Sequence, residues 1–525
     1  MVEPTSESIN MFDACVTDTT LTVYWDRPEH LGADTEYTVM VDGADAAHVR
    51  HTFATITGLL PEHEYRVTVC VRENTSGETR IVGERRFVTE CTKRDIDVSL
   101  PPYNAVGDGH TMNTAAIQQA LDDCDATSRV VIPAGVFLTG ALRMHSDSEL
   151  HVLAGGVLQG SARPQDYEPR IWSRFEGTEC ECYASLINIG YLDHESAPTT
   201  RNVRLSGDGE IRGGGVALMR ATIERERKLM ADRLETMADY IATCENSDTI
   251  PGRVRGRLVN ISNAENVELS GLTFSQGPSW NIHAIYSRRI ITHGATIRSR
   301  GVWNGDGWDP DSSEDCVLFD TLFDTGDDMV AIKSGKNPEG NAINRPTRHV
   351  RIFSCTATGG HGIAIGSEMS GGVEDVRVWD TDISRSRYGI HIKGTPKRGG
   401  YVRDVRVMDC AVSAITIHAV GYNDDGIAGP DQPYFEDFRF ERLRVMGWRW
   451  GENGDVCPSV AIMVKGFDKP GHEAHNITIK DCRLGGVEHG SARIELCDCA
   501  DVRFEGLCAG SSPVTDVDHS FTSAE

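Results

Sequence analysis

Three aspartates and one histidine carry the chemistry that this sequence can support. Asp306 lies in Asn304-Gly305-Asp306-Gly307-Trp308-Asp309, Asp327 and Asp328 in Asp324-Thr325-Gly326-Asp327-Asp328, and His361 in Gly360-His361-Gly362. Asp306 and Asp327 are 21 positions apart, close to one turn of a coiled β-solenoid. In such a stack, equivalent positions on successive turns lie roughly 4.8 Å apart. Carboxylates distant in sequence would therefore converge on one patch. Hydrolysis of a glycosidic bond needs such a set, with one acid to protonate the leaving oxygen and another to activate water. Adjacent residues of a regular strand point to opposite faces, so Asp327 and Asp328 share a site only if the chain bends. Gly326 is expected to supply that freedom. Two carboxylates so close resist double ionisation, which predicts that one titrates high and serves as the acid.

The elements that would position these residues form a repeat. Asn202-Val203-Arg204-Leu205, Asn266-Val267-Glu268-Leu269, Cys316-Val317-Leu318-Phe319 and His349-Val350-Arg351-Ile352 start it. Asp375-Val376-Arg377-Val378, Asp404-Val405-Arg406-Val407, Asp437-Phe438-Arg439-Phe440, Asn476-Ile477-Thr478-Ile479 and Asp501-Val502-Arg503-Phe504 continue it. A period of about 25 to 30 residues reads as one short strand per coil. Alternation puts Val and Ile inward and Arg or Glu outward, and frequent Gly and Asn suit left-handed corners between strands. Asn113 is expected to cap an amphipathic helix over Thr114 to Asp123 that closes the open end of the stack. Residues 216–245 interrupt the repeat with a helical insertion, in which Glu224 and Lys228 have the favourable i,i+4 order. That insertion could wall off one end of a cleft. Residues 1–92 read separately as a small all-β module, with Trp25 as core tryptophan and Tyr65 as a corner tyrosine, and residues 93–525 as the solenoid.

Taken in order, Asn-x-Asp, Gly-Asp-Asp, Gly-His-Gly and a basic Ile-Lys strand resemble the signature of glycoside hydrolase family 28, the polygalacturonases and their relatives. Gly107-Asp108-Gly109, Phe137-Leu138-Thr139-Gly140, Ser279-Trp280-Asn281-Ile282-His283 and Gly366-Ser367-Glu368-Met369-Ser370-Gly371-Gly372 resemble its exo-acting bacterial branch. The first module resembles a fibronectin type III domain. The resemblance implies an all-β chain, a right-handed parallel β-helix preceded by a small β-sandwich, acting without cofactor or metal. It implies an inverting, exo-acting enzyme that cleaves α-1,4-linked galacturonic acid from pectic oligosaccharides. Asp327 would be the general acid, Asp306 and Asp328 would activate water, and His361 would tune the acid.

Against substrate the resemblance places Lys393, His391, Arg398, Asn304, Trp308 and His283. Trp303, Trp308 and Trp280 are candidates to stack on sugar faces. One position departs from the family pattern. In Tyr388-Gly389-Ile390-His391-Ile392-Lys393, His391 stands where polygalacturonases carry the arginine of Arg-Ile-Lys. Histidine cannot reproduce the bidentate fork of arginine. Either Arg398 takes over part of carboxylate recognition, or the substrate is rhamnogalacturonan or another substituted pectin. A lyase-type β-elimination would want Ca²⁺ and an arginine base, and no arginine lies in the Gly-Asp-Asp or Gly-His-Gly segments. A non-catalytic carbohydrate-binding solenoid would not need all three carboxylates.

Composition sets the outer bounds. The chain has 525 residues, 39% hydrophobic and 25% charged, which is the composition of an ordered protein. Its net charge of −26 at pH 7 argues against a nucleic-acid partner, whose phosphates would be repelled. No stretch approaches the ~20 apolar residues of a membrane span. Residues 1–8 show neither the basic nor the apolar region of a signal peptide. The 15 cysteines are odd in number, and many sit in strand-like runs. Together these features suggest reduced thiols in a cytoplasmic protein. Cys180-Glu181-Cys182 and Cys497-Asp498-Cys499 lack the histidine partners of a zinc site.

Overall fold

The computed structural model describes residues 10–28, 31–32, 34–72, 79–421, 425–451, 455–485, 493–509 and 512–513. Residues 1–8, on which the leader-peptide expectation rests, lie outside the described residues. The chain forms two compact units, residues 1–96 with 125–129, and residues 97–124 with 130–525.

In the first unit, strands Met11–Val16, Thr20–Trp25 and Phe53–Thr57 form one antiparallel sheet. Ala44–Val49, Tyr37–Val41, Glu64–Arg72 and Thr79–Val88, in that order, form a second. Alternating Val and Tyr residues bury one face of each sheet around Trp25, which meets the Tyr37 ring edge-on at 5.3 Å. The Tyr65 hydroxyl accepts a hydrogen bond from Leu60 N at 2.8 Å, pinning the chain before its strand.

The second unit is a right-handed β-helix built on sheets of 13, 14 and 11 strands. Pairing in them is parallel except between the short terminal strands Cys508–Ala509 and Ser512–Pro513. All nine repeats read from the sequence fall in the 13-stranded sheet and stack in register, for example Val203 on Val267, Val350 on Val376, and Phe438 on Ile477. Four strands of this sheet lie outside the repeats read from the sequence, Arg94–Asp97, Ser128–Ile132 and Ser148–Val152 before them and Arg288–His293 within the series. The inward residues form continuous apolar columns. One column carries flat aromatic stacking, with Phe319, Phe353 and Trp379 at 4.8 and 4.5 Å, contacts that add to area burial. The left-handed residues stand inside these strands rather than between them. Asn202 (φ 56°), Asn266 (φ 59°) and Asp404 (φ 52°) each occupy the skipped position of a ladder. A short side chain that tolerates this conformation is required there once per coil.

The capping helix forms over Thr114–Asp122 and buries Ile117, Ala120 and Leu121. Asn113 does not cap it. Its Nδ2 donates to Val106 O at 3.0 Å and Thr111 O at 2.7 Å, so its amide ties down the preceding loop instead. The insertion folds as helices Gly215–Leu229, Ala231–Thr236, Ala238–Ile241 and Thr249–Gly252, with the Lys228–Glu224 pair at 2.7 Å. An antiparallel hairpin of Ile171–Phe175 and Thr178–Cys182 also leaves the solenoid. All 15 cysteines are free thiols, and Cys316, Cys355, Cys410 and Cys482 are buried. Among the described residues no helix is long and apolar enough to cross a membrane.

Candidate active site

The site stands on the 11-stranded sheet, where Ile282–Ile285, Trp308–Asp311, Val330–Ile332, Gly362–Ile365 and Gly389–Gly394 are successive neighbours. Trp308, Val330, Ile363 and Ile390 are in register. Two residues before each of these stand Asp306, Asp328, His361 and Tyr388, so one column of coil positions delivers a carboxylate, a carboxylate, an imidazole and a phenol. The register partner of Asp306 is therefore Asp328. Asp327 joins them because the chain is not in a strand there. Gly326 has no left-handed φ, contrary to its expected role. It is needed for space, since a methyl group would lie 2.7 Å from the carbonyl oxygens of both Ser299 and Val302. Gly360 (φ 88°) and Gly362 (φ 106°), on either side of His361, do require the left-handed region.

A cleft of about 480 Å³ holds Asp306, Asp327, Asp328 and His361, with Asn304, Lys393, His391 and Arg398 among its other lining residues. His361 Nδ1 lies 2.8 Å from Asp327 Oδ1 and 3.8 Å from Asp328 Oδ1. Burial alone would pull the imidazole down, but Asp327 outweighs it and holds His361 above the ordinary histidine range. Burial correspondingly pushes Asp327 up, and the His361 hydrogen bond and charge, with Lys393 and Lys333, bring it below the carboxylate range. Lys393 Nζ donates to Asp328 Oδ2 at 3.3 Å.

The carboxylate lifted above its ordinary range is Asp306, not Asp327. Asp306 is pushed well above its ordinary value, first by burial and then by Asp309, Asp327 and Asp328, against the pull of Lys333. Lys333 Nζ donates to Asp306 Oδ2 at 3.1 Å and Asp309 Oδ2 at 2.9 Å, and lies 3.6 Å from the centre of the Trp280 ring. Burial lifts Asp309 to about 7 despite this lysine. Burial pulls the Lys333 ammonium down, but Asp309 and Asp306 outweigh it and hold it above its usual range. One cation thus serves several buried acids, and they cannot all ionise.

Several expected contacts are relocated. Trp308 is a core residue whose Nε1 donates to Thr292 Oγ1 at 3.1 Å. His283 is fully buried 3.2 Å from Asp311 Oδ2, and burial takes it down to about 3. Both lie on strand positions that face into protein, so neither touches a ligand in the cleft. Arg398 reaches the cleft, but its guanidinium is spent on Asp425, on Asn337 and on Ser367, leaving no open fork for a substrate carboxylate. Asn304 Oδ1 accepts from Arg255 Nη2 at 2.6 Å. Trp303 packs with Met219 and Ile223 of the insertion. Trp280 is buried yet lines the cleft beneath Lys333. His391 Nε2 meets His418 Nε2 at 2.8 Å, and burial holds both rings below the usual histidine range, His418 at about 4.

Sequence reading missed Lys333, Asp309 and Glu368. Lys333 and Asp309 were legible as a lysine and an acid at strand positions where a solenoid coil expects an apolar or small residue. Glu368 lines the cleft with Oε2 unpartnered, and burial raises it above the carboxylate range. Glu176 from the hairpin and Glu245 and Thr249 from the insertion also line it. Asp327, Asp328 and His361 place three possible metal-ligand atoms within 4.8 Å of one another. Lys393 and the raised His361 already supply the positive charge that an ion would bring there.

The profile of glycosyl hydrolases family 28 matches residues 238–425. An exo-poly-alpha-D-galacturonosidase of Dickeya chrysanthemi is 26% identical over 94% of this chain and 90% of its own length. A probable polygalacturonase of Vitis vinifera is 32% identical over 59% of each. A family 28 exopolygalacturonase structure from Yersinia enterocolitica superposes with TM-score 0.77 at 22% identity, covering 95% of this chain and 96% of that one. An exopolygalacturonase from Thermotoga maritima gives TM-score 0.63 at 24% identity, covering 80% and 92%.

Proposed function

We propose that this chain, whose residues 238–425 match glycosyl hydrolases family 28, is an inverting, exo-acting member of that family. It releases galacturonic acid from the ends of α-1,4-linked, pectin-derived oligosaccharides. The observation that carries this reading is that Asp306, Asp327 and Asp328 share a cleft lined also by Glu176 of the hairpin and by Glu245 and Thr249 of the insertion. Two excursions from the solenoid thus flank the carboxylates, and a groove blocked on one side admits a chain end rather than a chain middle.

In this reading Asp327 protonates the leaving oxygen. His361 is the proton partner that fixes the orientation of its carboxyl. Bound uronate brings negative charge and displaces water, and both raise Asp327 toward its acid form. Asp306 in its ionised form, held by Lys333 Nζ at 3.1 Å, takes a proton from the attacking water, with Asp328 beside it. Lys393, which also meets Asp328 at 3.3 Å, is the cation assigned to a substrate carboxylate.

A second reading, a rhamnogalacturonan or other substituted pectin as substrate, is favoured by the neutral His391–His418 pair at the position of the family's arginine. We read residues 1–92 as fibronectin type III-like, on their three-plus-four strand order and the Tyr65 hydrogen bond. We also read the protein as cytoplasmic, on its free thiols, and as having neither nucleic-acid nor membrane partners, on its charge.

Product analysis tests the proposal on oligogalacturonides, the same oligomers reduced at one end, and rhamnogalacturonan oligosaccharides. Free galacturonic acid of inverted configuration from the first two sets is expected, unchanged by chelator. Cleavage of the rhamnogalacturonan set alone would replace the substrate, and an unsaturated product would overturn hydrolysis.

A further inference from the structure

On the N-terminal side of the hairpin Ile171–Cys182, the same 11-stranded sheet carries a second cavity of about 600 Å³. Its floor includes residues of the strands Leu142–Met144, Ile187–Gly190 and Val259–Ser262. The hairpin separates the two spaces, with Trp172 lining this cavity and Glu176 lining the catalytic cleft. From Ile187–Gly190 to Trp308–Asp311 is three strand spacings, roughly 14 Å. This cavity is thus outside the catalytic group.

Two large aromatic side chains stand open at its edge, Trp172 at 55% and Tyr191 at 59% exposure. Neither is loose. Trp172 Nε1 donates to Glu179 Oε2 at 3.1 Å, and the Arg143 guanidinium lies 4.1 Å from the centre of the Tyr191 ring. Exposed, oriented aromatics beside a cavity mark a binding surface.

The charges around them are unevenly satisfied. Asp122 is met by His145 at 2.7 Å and Gln118 at 2.8 Å, Glu168 by Arg225 at 2.8 Å, and Arg170 by Glu226. The Arg143 guanidinium donates to the Gly190 carbonyl, at 3.3 Å, and has no acidic partner among the described residues. In a chain of net charge −26 this leaves a half-buried cation facing a cavity whose acids are already compensated. A guanidinium in that state is suited to a carboxylate.

We propose that this cavity is a second, non-catalytic site for a uronate-bearing sugar, Arg143 holding the carboxylate and Trp172 and Tyr191 the ring faces. The assignment of the sugar rests on the substrate class proposed above, whereas the existence of a site rests on Arg143 and the two rings.

Binding of trigalacturonate to the Asp327→Asn protein, followed by calorimetry, tests it. Two saturable events are expected. Adding Arg143→Ala or Tyr191→Ala should weaken one of them at least tenfold, while maltotriose occupies neither. In the otherwise unaltered enzyme, Arg143→Ala should leave kcat/KM on digalacturonate within twofold, which also reports an intact fold. Two undiminished events in both variants would overturn the proposal while the hydrolase reading stands. Arg143-dependent binding in a parent that hydrolyses no galacturonide would sink the hydrolase reading and leave this one. A single event, unaffected by either variant, would overturn the second site.

Discussion

His361 is tied to Asp327 twice, through Nδ1 at 2.8 Å from Oδ1 and through its backbone N, which donates to Asp327 O at 2.9 Å. The backbone bond fixes where the imidazole stands beside the acid, and the ring contact orients it. Their proton affinities move in opposite directions for this reason, His361 up and Asp327 down.

That pairing predicts a pH signature. His361 is raised, so its contribution to stability is fully present below the unfolded histidine value of about 6.5 and is lost as pH rises through the higher folded value. Asp327 is lowered, so its contribution is present above about 3.9 and is lost as pH falls through the lower folded value. The Tm difference between the parent and His361→Gln should therefore peak between about pH 4 and 6.5. A difference independent of pH would exclude an ionised pair. The alkaline limb of kcat/KM should lie above the ordinary histidine range and should move in His361→Gln.

Asp327→Asn and Asp306→Asn separate acid from base. Each should cost on the order of 10² to 10⁴ in kcat. An aryl galacturonide, whose leaving group needs no proton, should restore much of the Asp327→Asn loss and little of the Asp306→Asn loss. Equal rescue would remove the assignment. Asp306 has a raised folded value, so its charged form opposes folding near neutrality. Asp306→Asn should therefore raise Tm at pH 7 while removing activity.

Lys333 holds the buried acids together. Lys333→Met removes the cation shared by Asp306 and Asp309, and breaking a buried pair costs about 3 to 5 kcal/mol when a partner is stranded. Both carboxyls should titrate still higher, moving the acid limb of kcat/KM to higher pH. An unmoved acid limb would show that Lys333 does not set the charge of Asp306.

Much of this arrangement was legible in the chain. The nine repeats fixed the 13-stranded sheet because Val-x-Val alternation with an Asn or Asp before it encodes both the core column and the skipped ladder position. The four ordered motifs located the cleft because one coil of spacing becomes one strand of distance. What remained hidden depends on contacts across coils. Lys333 looks like a strand-end lysine until Asp306 and Asp309 are stacked beside it, and Arg398 looks available until Asp425 meets it. Trp308 and His283 carry the right chemistry at positions that face inward, a distinction that sequence alternation cannot make where both sides of a strand are covered. The hairpin Ile171–Cys182 has no motif at all, and its importance is positional.

The wall formed by the insertion should control where substrate is cut. Replacing residues 230–245 with a short Gly-Ser linker removes Glu245 while retaining the helices Gly215–Leu229 and Thr249–Gly252. Products from long oligogalacturonides should change from monomer alone to a mixture of sizes, measured by chromatography at early conversion. Continued release of monomer alone would assign closure to the hairpin.

His391→Arg tests the position where this chain departs from the family 28 pattern. His391 and His418 share a proton across 2.8 Å, and burial keeps both rings uncharged. The subsite therefore offers a carboxylate Lys393 but no guanidinium. An arginine would add a bidentate donor, worth about 1.5 to 3 kcal/mol as a charged hydrogen bond, offset by its proximity to Lys393. If galacturonate occupies this subsite, KM for oligogalacturonides should fall three- to tenfold with kcat within threefold. If the neutral pair recognises a substituted or uncharged sugar, the same change should raise KM on that substrate and leave oligogalacturonides unaffected. The ratio of the two KM changes decides which sugar the histidine pair was built to meet.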